Sequence, residues 1–82
     1  MTLRSMLLVA GFRHFISEPN VESGFERFVA LTGSTASLLE FQDCIAACIH
    51  DGLIREPVRL LEGTLQCHWR LELTPNGVEA AR

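Results

Sequence analysis

Apolar residues recur at helical spacing over the first half of the chain. In residues 2–16 they recur near helical spacing, and this pattern predicts a first helix whose apolar residues are Leu3, Met6, Leu7, Ala10 and Phe15. The turn-forming residues 17–20 end the pattern, and Asn20 is a suitable N-cap for a second helix. We expect Gly33 to close that helix in the left-handed conformation. Its predicted core side consists of Phe25, Phe28, Val29 and Leu31.

A third helix is indicated by both its start and its apolar side. Ser37-Leu38-Leu39-Glu40 matches the capping box, in which the serine caps the helix and the glutamate side chain reaches back to the serine. Gly52 follows as the C-terminal stop. The predicted buried side consists of Leu38, Phe41, Ile45, Cys48 and Ile49. Only a short turn, Ser34-Thr35-Ala36, separates the second helix from the third.

After residue 53 the pattern changes to an alternation of apolar and polar residues. Two such runs flank Glu62-Gly63, which predicts a β-hairpin with a two-residue loop. That loop sets a register in which Arg55 lies opposite Arg70. The predicted core face carries Ile54, Val58, Leu60, Leu65, Cys67, Trp69 and Leu71. Thr74 as N-cap and Pro75 in the first helical position predict a short final helix.

Two helices joined by a short turn, then a hairpin and a last short helix, resemble the winged helix-turn-helix superfamily. The resemblance implies an α+β fold: a three-helix bundle with a helix-turn-helix, a two-stranded β-hairpin wing and a short C-terminal helix. We expect a single winged-helix domain over residues 1–82. Most members of the superfamily are DNA-binding regulators, and some are protein-docking modules. The third helix would be the recognition helix, which enters the major groove.

The charge of the chain restricts how it would bind DNA. The net charge is −3 and the isoelectric point is about 5.5, so the whole surface does not attract phosphates and any DNA contact requires a local patch. All seven cationic residues are arginines, whose guanidinium groups suit bidentate binding of anions. Their positions therefore matter more than their number.

The predicted DNA interface combines the wing with the start of the third helix. In the inferred register, Arg55 faces Arg70, and like charges in that position favour an anion between them. The alternatives for this face are a DNA phosphate, an acidic protein surface or solvation alone. The wing would hold phosphates of double-stranded DNA, while polar side chains at the entrance of the third helix contact the bases. The candidate binding residues are Ser34, Thr35, Gln42, Arg55, Arg59, His68 and Arg70.

The third helix favours an alternative in which the partner is a protein. Residues 37–52 contain three acidic residues, Glu40, Asp43 and Asp51, and no lysine or arginine. Carboxylates in the major groove would lie near phosphates without a cation to offset them. The alternative is a protein-docking module that uses the acidic helix, the basic wing or both. Self-association of helix with wing is a variant, and it must close into a ring or grow into a filament.

Other functions receive less support from the sequence. The three cysteines, Cys44, Cys48 and Cys67, are an odd number without a recognisable export signal, which is typical of reduced thiols in a cytoplasmic protein. Cys48 and Cys67 fall on predicted core faces, so we expect no metal site and no cofactor. No catalytic motif is present, and we do not expect an enzyme. The apolar run at residues 6–10 is too short for a membrane span.

Overall fold

A computed structural model describes residues 2–56 and 69–82 of the chain. This part is an α+β fold of four helices and one two-stranded antiparallel sheet. None of these helices is long and apolar enough to span a bilayer. In chain order the elements are α1 (Leu3–Arg13), β1 (Ile16–Glu18), α2 (Val21–Thr32), α3 (Leu38–His50), β2 (Trp69–Leu71) and α4 (Pro75–Ala81).

The predicted helix caps are confirmed. Asn20, Ser37 and Thr74 each accept a hydrogen bond from the backbone N–H three residues later, at 2.8, 3.1 and 3.0 Å. These bonds satisfy N–H groups that have no partner within their own helix. Gly33 ends α2 with a φ of 70°, in the left-handed region that glycine adopts without strain. The short-range signals therefore place the starts of α2, α3 and α4 correctly.

The predicted end of the first helix is wrong. The helix ends at Arg13, and His14 is extended with φ −131° and ψ 143°. Phe15, part of the apolar pattern predicted for this helix, is 78% exposed, whereas Ile16 is buried as the first residue of β1. The strand exists because it pairs with β2, more than fifty residues further along the chain. Helical periodicity cannot reveal a partner at that distance.

The sheet also corrects the predicted register. In the observed pairing Ile54 bridges Leu73, two residues away from the partner that a two-residue loop at Glu62-Gly63 implies. That loop lies outside the described residues. A shift of two residues keeps every side chain on the same face of a strand. Ile54, Trp69 and Leu71 are accordingly buried, as predicted.

The core centres on an aromatic cluster. The Phe41 ring of α3 is fully buried, and its centroid lies 5.3 Å from that of Phe25, 5.2 Å from that of Phe28 and 5.8 Å from that of Trp69. These tilted pairs have the separations that favour aromatic contacts. One ring thus joins α2, α3 and β2. The buried core residues are Leu7, Leu8, Ala10, Ile16, Phe28, Phe41, Ile45, Cys48, Ile54, Trp69 and Leu71.

The Gly24→Ala variant tests the packing of α2 against β2. A Cβ atom at Gly24 would overlap the ring of Trp69. We expect a loss of about 1–3 kcal/mol in the free energy of unfolding, the usual cost of overpacking. Alanine's better helix propensity, about 1 kcal/mol, offsets part of that cost. Chemical denaturation measures the change. The control Ser23→Ala should stay within about 0.5 kcal/mol of the wild type; equal stabilities for the two variants would contradict the contact.

Candidate nucleic-acid interface

The segment between α2 and α3 is held by its own hydroxyl groups. The Thr32 hydroxyl oxygen accepts a hydrogen bond from the Ser34 backbone N–H at 3.2 Å, and the Ser34 hydroxyl oxygen accepts one from the Ala36 N–H at 3.2 Å. Local bonds of this kind stabilise turns. Ser34 therefore shapes the turn, while the exposed Thr35 side chain has no hydrogen bond to any described residue. Of the two predicted contacts here, Thr35 is the more available to a ligand.

Helix α3 has a buried side and an open side. Phe41, Ile45 and Cys48 face the core, as predicted. The exposed residues are Leu39, Glu40, Gln42, Asp43, Ala46, Ala47 and His50. Several of these side chains are short, so another surface can approach the helix closely. We call this set of residues the outer face of α3.

Glu40 is engaged in the capping box. Its carboxylate accepts a hydrogen bond from the Ser37 backbone N–H at 3.0 Å, and the Glu40 N–H donates to the Ser37 hydroxyl oxygen. The Ser37 backbone, and then its side chain, hold the pKa of Glu40 below its ordinary value. The negative charge of Glu40 thus lies at the N-terminus of α3, where the helix dipole favours it.

Asp51, at the other end of α3, forms an ion pair with Arg4 of α1. The Arg4 Nη2 atom donates to Asp51 Oδ2 at 2.5 Å, and both side chains are partly exposed. No local signal in the sequence predicts this pair, because its members are 47 positions apart. Asp43 has no ion pair with a described residue. Asp51 therefore faces a cation and Glu40 faces a hydrogen-bond donor. Two of the three acidic side chains of the third helix thus have a partner.

The predicted pair of like charges on the wing is wrong. Arg70 pairs with Ser17 of β1, and the bridge between Ile54 and Leu73 places Arg55 opposite Glu72, not Arg70. The Arg55 N–H donates to the Glu72 carbonyl at 2.8 Å, and Arg55 Nε lies 3.7 Å from a Glu72 carboxylate oxygen. Arg55 therefore faces an opposite charge, so its position does not require an anion. Arg59 and His68, the other predicted cations of the wing, lie outside the described residues.

The cysteines of α3 behave as packing groups. Burial raises the pKa of Cys48 to about 11 and also raises that of Cys44, so both thiols are protonated near neutral pH. Within residues 2–56 and 69–82, no three histidine, cysteine or acidic side chains cluster as metal ligands would. Cys67 lies outside these ranges.

Comparisons with known proteins provide no further assignment for this interface. No protein-family model, curated protein or solved structure matches the chain. Functional inference depends instead on the outer face of α3, the turn before it and the charged groups around them.

The Ser37→Ala variant tests the capping box. We expect a loss of about 1 kcal/mol in the free energy of unfolding, since an N-cap is removed. The pKa of Glu40 should rise only part of the way to its ordinary value of 4.5, because alanine removes the hydroxyl of residue 37 and keeps its backbone N–H, the larger cause of the shift; an NMR titration of the side chain measures this rise. In the wild type, the stabilising contribution of ionised Glu40 is complete above that ordinary value and disappears as the pH falls through the lowered pKa.

A matched control for this titration is Thr35→Ala. The Thr35 side chain is exposed and belongs to the same turn, but it is not part of the capping box. We expect the pKa of Glu40 to be unchanged in this variant. An identical Glu40 titration in the wild type and in Ser37→Ala would show that the Ser37 hydroxyl does not contribute to this pKa.

Proposed function

We propose that the protein is a small winged-helix DNA-binding protein, in which the outer face of α3 enters the major groove. The exposed outer face of the second helix in a helix-turn-helix pair carries this proposal. The order α1, β1, α2, α3, β2 and α4 is compatible with a winged-helix layout. Thr74 links the last helix to the end of α3, because its hydroxyl donates to the Gly52 carbonyl at 2.6 Å.

In this proposal, polar groups at the start of α3 contact the bases. Gln42 is exposed on the second turn of the helix, and a glutamine amide can form two hydrogen bonds to the edge of an adenine. The Thr35 hydroxyl lies just before the helix and suits a phosphate or a base. Arg70 is exposed on β2 and supplies a cation for the backbone. Arg59 and His68 retain the role that the sequence predicts for them.

The acidic character of the third helix opposes DNA binding less than its composition suggests. Arg4 faces the carboxylate of Asp51, and that of Glu40 is directed to the backbone of Ser37. Both interactions place positive charge or a donor beside the carboxylate, which reduces its repulsion of a phosphate. Asp43 remains as the main unfavourable charge on the outer face of α3.

We further propose a role in transcriptional regulation in the cytoplasm. A domain of 82 residues that binds duplex DNA and lacks catalytic motifs acts by occupying its site. The cysteines in the described part, Cys44 and Cys48, are free thiols, as is usual in a reducing compartment. Neither proposal depends on a cofactor.

A protein-docking module is the second candidate function. Leu39 supports it, because this side chain is 67% exposed on the outer face of α3. It lies beside Glu40 and one turn before Asp43. A large apolar side chain among carboxylates is poorly suited to a DNA groove and well suited to a protein surface. In this case the same face of α3 would bind a protein partner.

The Asp43→Asn variant tests the DNA proposal. We expect it to bind random-sequence duplex DNA about two- to five-fold more tightly than the wild type, since an exposed carboxylate near phosphates is removed. The Arg70→Ala variant should bind more weakly. Its plot of log affinity against log salt should be shallower by about 0.9 if Arg70 neutralises one phosphate. Fluorescence anisotropy at two salt concentrations measures both effects.

The controls make the same charge changes on α4 and at its C-cap. Glu79→Gln and Arg82→Ala alter exposed residues at the end of the chain, and we expect wild-type affinity and salt dependence for both. Absence of binding at low salt would overturn the DNA proposal and favour the protein-docking candidate. Equal effects from Asp43→Asn and Glu79→Gln would show that net charge, and not the outer face of α3, controls the affinity.

A further inference from the structure

A groove with an aromatic rim lies between the end of α1, β2 and α4. Its volume is about 510 Å³, and its apolar lining consists of Phe12, Phe15, Leu71, Leu73 and Val78. Phe12 is 48% exposed and Phe15 is 78% exposed. Contiguous exposed apolar surface on a small protein marks a site of interaction. We call this site the aromatic groove.

The charged residues around the aromatic groove have an excess of positive charge. Arg13, His14, Arg70 and Glu72 also line it. Glu72 lies 3.7 Å from Arg55, so its carboxylate is already opposed by a cation. The groove is therefore locally cationic in a chain whose net charge is −3. Its chemistry suits an apolar side chain that is flanked by carboxylates.

The same chain presents such a group on α3. Among the described residues, three large hydrophobic side chains are exposed: Phe12, Phe15 and Leu39. Phe12 and Phe15 line the aromatic groove, and Leu39 lies on the outer face of α3. Glu40 follows it directly, and Asp43 lies four positions later on the same side of the helix. Asp43 has no ion pair within the described residues. The outer face of α3 thus complements the aromatic groove in apolar character and charge.

We propose that the aromatic groove binds the outer face of α3 of a second copy of this chain. Leu39 of one copy inserts beside Phe12 and Phe15 of the next, and burial of these apolar surfaces favours association. Asp43 approaches Arg13 and Arg70, which adds electrostatic attraction and orientation. The occupant is a second copy because the chain supplies both the basic, aromatic surface and the acidic, apolar surface.

This contact is heterologous, since the two surfaces belong to different parts of the fold. A pair of copies leaves one groove and one α3 face unoccupied, so association continues until a ring closes or a chain of copies grows. The inference goes beyond DNA binding and does not depend on it. Both processes use the outer face of α3, so self-association and DNA binding would exclude one another.

Two complementary surface variants test the contact. Leu39→Ser with Asp43→Arg removes the α3 surface and keeps the groove, whereas Phe15→Ser with Arg13→Ala removes the groove and keeps the α3 surface. All four side chains are exposed, so we expect both proteins to fold. Sedimentation velocity without DNA, from micromolar to millimolar protein, measures the mass. Glu79→Arg makes the same charge reversal as Asp43→Arg on α4 and serves as the control.

We expect the mass of the wild type and of Glu79→Arg to grow with concentration, and less so at high salt. Each double variant alone should remain a monomer. An equimolar mixture of the two should stop at a dimer, because only one groove and one α3 face can meet. A wild type that remains monomeric at millimolar concentration would overturn the proposal. A mixture that fails to pair, or a double variant that associates alone, would also overturn it.

The DNA proposal and the self-association proposal can fail separately. The sedimentation experiment contains no DNA, so its outcome is independent of any duplex binding. The single change Asp43→Arg should strengthen DNA binding, because it replaces an acidic side chain with a cation. The same change should weaken self-association, because it places like charges together. Opposite movements of the two measurements would support both proposals.

Discussion

The position of α3 depends on the aromatic contacts of Phe41. Its fully buried ring meets Phe25 and Phe28 from α2 and Trp69 from β2, so one side chain joins three elements that are distant along the chain. Gly24 allows the Trp69 ring to approach the backbone of α2. Because interiors are closely packed, a helix held by such a cluster has little freedom to rotate about its axis. The side of α3 that faces solvent is therefore set by the packing of its opposite side.

Interactions at both ends reinforce that orientation. The capping box holds the N-terminus of α3, and the ion pair between Arg4 and Asp51 links its C-terminal end to α1. The same interactions provide partners for Glu40 and Asp51, so the electrostatic character of the outer face differs from a count of its acidic residues. Asp43 and the exposed Leu39 then distinguish the proposed partners. A phosphate repels the carboxylate of Asp43 and offers no apolar surface to Leu39, whereas a basic apolar groove suits both side chains.

Much of the fold could be predicted from the sequence because its signals are local. Asn20, Ser37 and Thr74 are capping residues by their own chemistry, and Phe41, Ile45 and Cys48 recur at helical spacing. The candidate site was less predictable. Arg55 was assigned to the correct face of its strand but to the wrong partner, because a shift of two residues preserves the face and changes the neighbour. The role of Arg4 had no signal, since its partner lies 47 positions away.

The sequence by itself determined where three helices begin, which side of α3 is buried and which residues of the last strand face the core. Each of these features follows from periodicity or from a hydrogen bond between near neighbours. Only the tertiary structure decided that residues 16–18 form a strand and that Phe15 is exposed beside a groove. It also decided that Arg55 faces Glu72 and not Arg70. These features require contacts between distant parts of the chain, and long-range pairing is specified by the whole packing and not by any local pattern.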